Sequence, residues 1–288
     1  MQRIAITGAG GQLGRQLLQA LTDGDREVLA LTHANFDITA PASRRALVAW
    51  RPDVVVNAAA WTDVDGCARD PGRAMAINAN GPAALAGALA VQGARFIQVS
   101  TNEVFDGADQ RAYAPEDEPR PINPYGASKL AAERAVLAAG RRNQVVRTAW
   151  LFGPGGTNFV TKILAAARDA AEHGGRLRVV EDEVGNPTWT PALAEAISAV
   201  VAVADGPPIM HAVGTPPASR LAWAECVVRS AGVEAGIDPV SLAEFSRAST
   251  PPPHAVLEPS PGLPEIDWRE ATERYAAQLA AHAAGRAR

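Results

Sequence analysis

The sequence predicts an α/β protein: a doubly wound parallel sheet followed by a smaller mixed α/β lobe. Three observations carry this. Short apolar runs alternate with helical stretches through the first half of the chain, a pattern that builds parallel sheets with right-handed crossovers. A glycine-rich turn, "TGAGGQLG", separates the first apolar run from the first helical stretch. After about residue 150 the rhythm changes, so residues 1–150 and 151–288 are read as two units, with some of the later chain returning to the first.

"RIAITGAG" reads as a strand entering the glycine turn. "GQLGRQLLQALTDG" reads as a helix, with Leu13, Leu17, Leu18 and Leu21 on one face and Gly24 as its stop. "EVLALT" is the second strand, and "SRRALVAWRP" a helix halted by Pro52. "DVVVNAAA" is continuously apolar, as a strand covered on both faces must be. "PAALAGALAVQG" is helical and "RFIQVST" a strand. Asn123 and Pro124 suit the cap and first position of the next helix, and "QVVRTAWLFG" reads as one further strand. Beyond it, "NFVTKILAAARDAAEHGG", "PALAEAISAVVAVADG" and "RLAWAECVVRSAG" are helices separated by short strand-like pieces such as "PIMHAVG". The Pro-rich run 251–264 is expected to be ordered by packing, because a helix containing Trp268 and Tyr275 follows it.

Composition excludes several classes. Charged residues make up 20% of 288 and the net charge is −4, which argues against a nucleic-acid partner. The apolar fraction of 47% supports a real core. The two cysteines, Cys67 and Cys226, suggest neither a disulfide framework nor a zinc site. "MQRIAITGAG" enters a strand pattern at once, which leaves no room for a signal peptide, and no apolar run would span a bilayer. A cytoplasmic protein without a membrane partner is expected.

Gly8, Gly11 and Gly14 follow a GxxGxxG spacing. Glycine permits positive φ and close approach of a pyrophosphate, and the helix N-terminus beyond offers free N–H groups. Alone, such a turn is equally a tight corner; its position between first strand and first helix points to a dinucleotide. The second strand ends in "LTHANFDIT", with His33 and no acid at the tip; Asp37 follows later. An acid there would select NAD, so NADP(H) is favoured and NAD(H) is the alternative. His33 is read as a plain surface residue. "NAAA", residues 57–60, ends the third strand in small side chains that suit backbone lying against a ligand, or under a helix.

Tyr125 and Lys129 stand one helical turn apart. A surface helix would also carry them, so their company matters. With the glycine turn and the hydroxyl pair Ser100–Thr101 ending a middle strand, they resemble the extended, sugar-nucleotide branch of the short-chain dehydrogenase/reductase superfamily. The chemistry accounts for the spacing. Reducing a ketone requires a proton on oxygen as hydride reaches carbon, and a free phenol has a pKa of about 10. A neighbouring ammonium is expected to lower it, and Thr101 would orient the ketone oxygen.

The motifs "GAGGQLG", "DIT", "RPDVVVNAAAWTDVDGCA", "AINANGPAALA", "VSTNEVFDG", "PYGASKLAAE", "RTAWLFGPGGTNFV" and "VVEDEVGNPTWTPALAEAI" follow one another over roughly residues 3–200. In that order they resemble the dTDP-4-dehydrorhamnose reductase family. The resemblance implies a Rossmann-type dinucleotide-binding domain and a smaller substrate lobe. It implies NADPH-dependent reduction of the 4-keto group of dTDP-6-deoxy-L-lyxo-4-hexulose to dTDP-L-rhamnose. Carried across, Thr101, Tyr125 and Lys129 would be catalytic, and Gly8, Gly11, Gln12, Leu13, Asp37, Ile38, Ala58, Ala59 and Ala60 would line the cofactor together with Tyr125 and Lys129. Val64, Asp65, Trp150 and Asn158 would face the dTDP-sugar, beside Thr101, Asn102, Glu103 and Tyr125. Asn78 matches a helix residue that holds structure or a water behind the site. Trp150 and the Asn186–Pro187 turn have equally good structural readings. No acidic cluster supports a metal, and the resemblance leaves a homodimer open.

The chain departs from the family at one point. The family reads Ser-Thr-Asp-Tyr-Val-Phe where this sequence has Ser100-Thr101-Asn102-Glu103-Val104-Phe105. A Glu there resembles the sugar-nucleotide 4,6-dehydratases, but Asn102 has no acidic proton to give a leaving hydroxyl. Glu103 would either hydrogen-bond a sugar hydroxyl or abstract a proton beside the ketone. The alternatives to a reductase are therefore an epimerase or dehydratase with tightly held NAD, or a non-catalytic regulatory homologue.

Overall fold

A computed structural model describes residues 1–22, 25–245 and 247–286; the expected stop at Gly24 lies outside the described residues. The first half alternates as expected: β1 (Gln2–Thr7), α1 (Gln12–Leu21), β2 (Arg26–Leu31), α2 (Pro41–Trp50), β3 (Val54–Asn57), α3 (Val64–Arg69), α4 (Pro71–Met75), α5 (Gly81–Ala90), β4 (Arg95–Thr101), α6 (Pro124–Ala139) and β5 (Gln144–Thr148). Then come β6 (Leu151–Phe152), α7 (Phe159–His173), β7 (Arg176–Val180), β8 (Val184–Gly185), β9 (Thr188–Trp189), α8 (Thr190–Ala202), β10 (Ile209–His211), β11 (Ala218–Ser219), α9 (Arg220–Ser230), β12 (Gly236–Val240) and α10 (Trp268–Arg286).

A six-stranded sheet in the order β10-β5-β4-β3-β1-β2 forms the centre, with every pair parallel. Its two faces are covered by different helices. Leu13, Leu17 and Leu21 of α1 join Leu193, Ile197 and Val200 of α8 over Ile4, Ile6 and Val56. On the other face Leu47, Leu85, Leu89 and Val136 of α2, α5 and α6 meet Ala5, Val55 and Phe96. Each large aliphatic chain removed from water there contributes about 1.5–3 kcal/mol.

Two features were not legible as single elements. "QVVRTAWLFG" is not one strand: Trp150 adopts a φ of 43° and breaks it. β5 stays in the sheet, while β6 turns away to pair with β9. The sixth strand comes from late in the chain, where β10 pairs with β5. Arg95, buried at the start of β4, fastens this return. Its guanidinium donates to the carbonyls of Val200 and Val201 at 2.7 and 2.9 Å, and to that of Val203, at the end of α8.

The remaining elements pack around Trp223, Trp268, Tyr275 and Phe152. β7 pairs with β12 and β8 with β11. The Pro-rich run is held as expected: Leu257 bridges to Tyr113 and His254 to Val184.

Candidate active site

The site lies at the carboxyl ends of β1, β3, β4 and β5, where a doubly wound sheet opens to ligands. Gly8 leaves β1 with φ 72°, and a Cβ on it would stand 2.7 Å from the backbone of Ala58 and Ala59. A Cβ on Gly14 would stand 2.1 Å from the Gly8 carbonyl. The turn is thus packed as closely as the chain allows. No side chain caps α1, so its first N–H groups and the positive end of its dipole face the opening.

Two adjoining clefts share Gly8, Gly11, Ala58 and Ala60. The outer one, about 530 Å³, is lined by Thr32, His33, Asp37, Ile38, Ala59 and Arg73. Asp37 turns into its own loop, accepting from the Thr39 N–H at 2.8 Å and hydroxyl at 2.7 Å. Those bonds hold its carboxyl below the usual range. The Arg73 guanidinium lies 4.5 Å over the Trp61 ring. The inner cleft, about 430 Å³, is lined by Gln12, Leu13, Val64, Thr101, Asn102, Glu103, Tyr125, Lys129, Trp150 and Asn158, with Ser100 and Thr148 on its floor.

The residues fit a nicotinamide dinucleotide. Gln12 Nε2, Ser100 Oγ and Thr148 Oγ1 are buried polar atoms without a partner, and all three side chains line the inner cleft. Orphaned groups of this kind in a native fold call for a ligand or water. Thr148 was missed in the sequence, although its place at a strand end was a usable signal; nothing in the sequence pointed to Arg73.

Helix α6 delivers the central pair. Asn123 caps it by accepting from the Gly126 N–H at 2.8 Å, and Pro124 fills its first turn. A Cβ on Gly126 would meet the Glu103 carbonyl at 2.0 Å. The helix start therefore rests directly on the turn after β4, which brings Tyr125 beside Thr101 and Glu103. Tyr125 and Lys129 are 9% and 3% exposed. Lys129 Nζ donates to the Val99 carbonyl at 2.7 Å. Burial lowers its pKa to about 8, against a raising influence from Glu133. Glu133 in turn is buried against Arg147, 2.8 Å away.

The tyrosine departs from expectation. Burial lifts the Tyr125 pKa well above its ordinary value, Glu103 lifts it further, and the Thr101 hydroxyl pulls the other way. The expected lowering is not found, because desolvation of the phenolate is the larger effect. The phenol is held neutral, as a proton donor must be before it acts.

Asn102 is anchored through its Nδ2–H to the Ala255 carbonyl at 3.1 Å. Glu103 accepts from Asn123 Nδ2 at 2.7 Å, and burial raises its pKa. Arg220 stacks 3.5 Å over Trp150, which lies parallel to Trp223 on the core side. Trp150 is thus packed on the core and also forms part of the inner cleft's wall.

Two expected sugar contacts have other partners. Asp65 lines neither cleft; it accepts from the Ser249 N–H at 2.9 Å and pairs with Arg247 at 3.2 Å. Asn158 lines the inner cleft, but its amide is occupied: Oδ1 caps α7 at Thr161 and Nδ2 donates to the Gly153 carbonyl at 2.9 Å. Asn186 takes its structural reading, tying Gly214 to Leu257. Asn78 does likewise from a π-helical turn, Ala76–Asn80, where it binds the Trp61 backbone and donates to Ser128 Oγ at 3.1 Å.

The family model described as RmlD substrate binding domain matches residues 1–281. The chain belongs to this family. A dTDP-4-dehydrorhamnose reductase of Mycobacterium tuberculosis is 44% identical over 252 residues, covering 85% of this chain and 81% of that protein. Among solved structures, a dTDP-4-dehydrorhamnose reductase from Clostridium acetobutylicum is 33% identical, with a TM-score of 0.91 over 96% of this chain and 99% of that one. One from Bacillus anthracis, solved in complex with NADP, is 30% identical, with a TM-score of 0.89 over 96% and 99%. Among the described residues no helix is long and apolar enough to cross a membrane.

Proposed function

We propose that this protein reduces the 4-keto group of a dTDP-4-keto-6-deoxyhexose with NADPH, converting dTDP-4-dehydrorhamnose to dTDP-L-rhamnose. The observation that carries the reading is the meeting of Thr101, Tyr125 and Lys129 in a cleft continuous with the Gly8–Gly14 turn. The relatives' names and the bound NADP of the Bacillus anthracis structure support it.

Gly8, Gly11 and the start of α1 would hold the pyrophosphate, Ile38, Ala59 and Ala60 the adenosine, and Lys129 the nicotinamide ribose. When bound, the nicotinamide supplies the hydride. Thr101 donates to the ketone oxygen and fixes its direction. Tyr125 protonates that oxygen as it gains negative charge, which a neutral phenol does readily because an alkoxide is far the stronger base. The Lys129 ammonium then stabilises the phenolate left behind. Asn102, bound to Ala255 and lacking an acidic proton, speaks against dehydration.

NADPH oxidation in the presence of dTDP-4-dehydrorhamnose tests the reading. Tyr125→Phe should lower kcat by about 10²–10⁴-fold with NADPH affinity and melting temperature kept. Full turnover in that variant would remove the mechanism. Two buried free thiols suit a cytoplasmic enzyme, and sedimentation velocity tests the homodimer.

A further inference from the structure

Glu103 is the acid of the inner cleft, and the reduction does not use it. One oxygen, Oε2, accepts from Asn123 Nδ2 at 2.7 Å. Among the described residues Oε1 has no hydrogen-bond partner. The charged groups around it are otherwise engaged: Arg220 pairs with Glu183 at 2.9 Å and Arg247 with Asp65 at 3.2 Å. The close contact of Gly126 with the Glu103 backbone sets this carboxylate beside Tyr125, and both line the cleft with Thr101. Its position is therefore tied to the group that would address the ketone oxygen.

The sugar's chemistry then restricts what can meet it. In a 4-keto-6-deoxyhexose the carbonyl carbon has two neighbours. C3 carries a hydroxyl, and C5 carries a methyl group and the ring oxygen. A carboxyl group keeps an acceptor oxygen in either protonation state. With O4 on Tyr125 and Thr101, the single donor next to the carbonyl is the 3-hydroxyl.

We propose that Glu103 is a specificity-determining residue that accepts a hydrogen bond from the 3-hydroxyl of the substrate, so that the enzyme takes 4-keto-6-deoxyhexoses bearing that hydroxyl and rejects their 3-deoxy counterparts. The inference rests on the reductase reading and narrows its substrate class. Rejection follows because a bound 3-deoxy sugar would shut this acceptor off from water and leave it unpaired, a penalty larger than the loss of one apolar contact.

The test is kcat/KM with NADPH for a dTDP-4-keto-6-deoxyhexose and its 3-deoxy analogue, in wild type, Glu103→Gln and Glu103→Ala. Isothermal titration of the two corresponding 4-hydroxy products into NADP⁺-loaded protein gives the same comparison without turnover. Wild type should favour the 3-hydroxy compounds by about 10²-fold in both measurements. Glu103→Ala should bring the ratio within about threefold, and Glu103→Gln should fall between. The ratio is insensitive to general damage, since a disturbed Asn123 cap lowers both substrates alike. A wild type that treats the pair alike, or an Ala variant that keeps the full ratio, overturns the proposal. If wild type oxidises NADPH with neither sugar, the reductase reading fails; the titration ratio then still decides the role of Glu103.

Discussion

Lys129 shows how the site trades stability for chemistry. Its ammonium is buried with one carbonyl partner, and its folded pKa of about 8 lies below the ordinary value of 10.5. A cationic group depressed in this way contributes its stability above the unfolded value and loses it as pH falls through about 8. At neutral pH the charged lysine therefore costs the fold on the order of 3 kcal/mol. Lys129→Met should raise the melting temperature at pH 7 by a few degrees, with the gain vanishing above pH 10.5, while reduction falls by at least about 10²-fold. Thermal scans across pH check the first part; a variant no more stable than wild type at pH 7 would mean that the Val99 carbonyl bond outweighs the burial cost. The same ionisation sets the activity profile. For wild type, kcat/KM should decline as pH rises through about 8, because the ammonium is lost there while Tyr125 stays protonated. A flat profile to pH 10 would remove Lys129 as the charge behind the phenol.

At the scale of elements, the glycine turn and α1 act as one piece. A methyl group on Gly14 would meet the Gly8 carbonyl at 2.1 Å and the Ala9 Cα at 2.7 Å, both backbone atoms that cannot give way singly. Gly14→Ala should weaken NADPH binding by more than about 100-fold and lower the melting temperature. Gly87 in α5 has nothing within 4 Å, so Gly87→Ala should add about 0.5–1 kcal/mol through helix propensity alone. Equal effects of the two would discount the close packing of the turn. These elements were readable because their signals are local: β3 opens on three consecutive valines, α1 repeats leucine at helical spacing, and Asn123–Pro124 announces α6. What escaped was set by contacts distant in sequence. Asp65 looked like a cleft residue until Arg247 and Ser249 reached it from the other end of the chain. Asn158 carries a cap signal that the family motif overshadowed. The break at Trp150 depends on β9 offering β6 another partner.

The molecule as a whole closes around His211, where the last third of the chain meets the first sheet. β10 carries this residue, fully buried, onto β5. Its Nδ1 faces the Glu258 carbonyl at 3.2 Å and must be the protonated nitrogen, so Nε2 is left to accept from Arg147 at 3.4 Å. Arg147 is bound on its other side to Glu133, one turn of α6 beyond Lys129. A line of contacts thus runs from the tail through the sheet to the helix bearing the proposed proton donor. Burial, then the neighbouring Arg147 charge, push the His211 pKa down to about 3 from 6.5. A base depressed on folding gives stability that is fully present above its unfolded value and is lost as pH falls through its folded one. Here the window runs from about pH 6.5 down to 3, with a total on the order of 5 kcal/mol. Urea unfolding from pH 7.5 to 4.5 should therefore show wild type losing stability steeply, at up to about 1.4 kcal/mol per pH unit from this residue. His211→Gln, whose amide can replace both hydrogen bonds without titrating, should start lower at pH 7.5 and follow a shallower slope. Parallel curves for the two proteins would show that acid attacks the fold elsewhere. Convergence of the curves near pH 5 would make His211 the point at which acid separates the returning strand from the sheet.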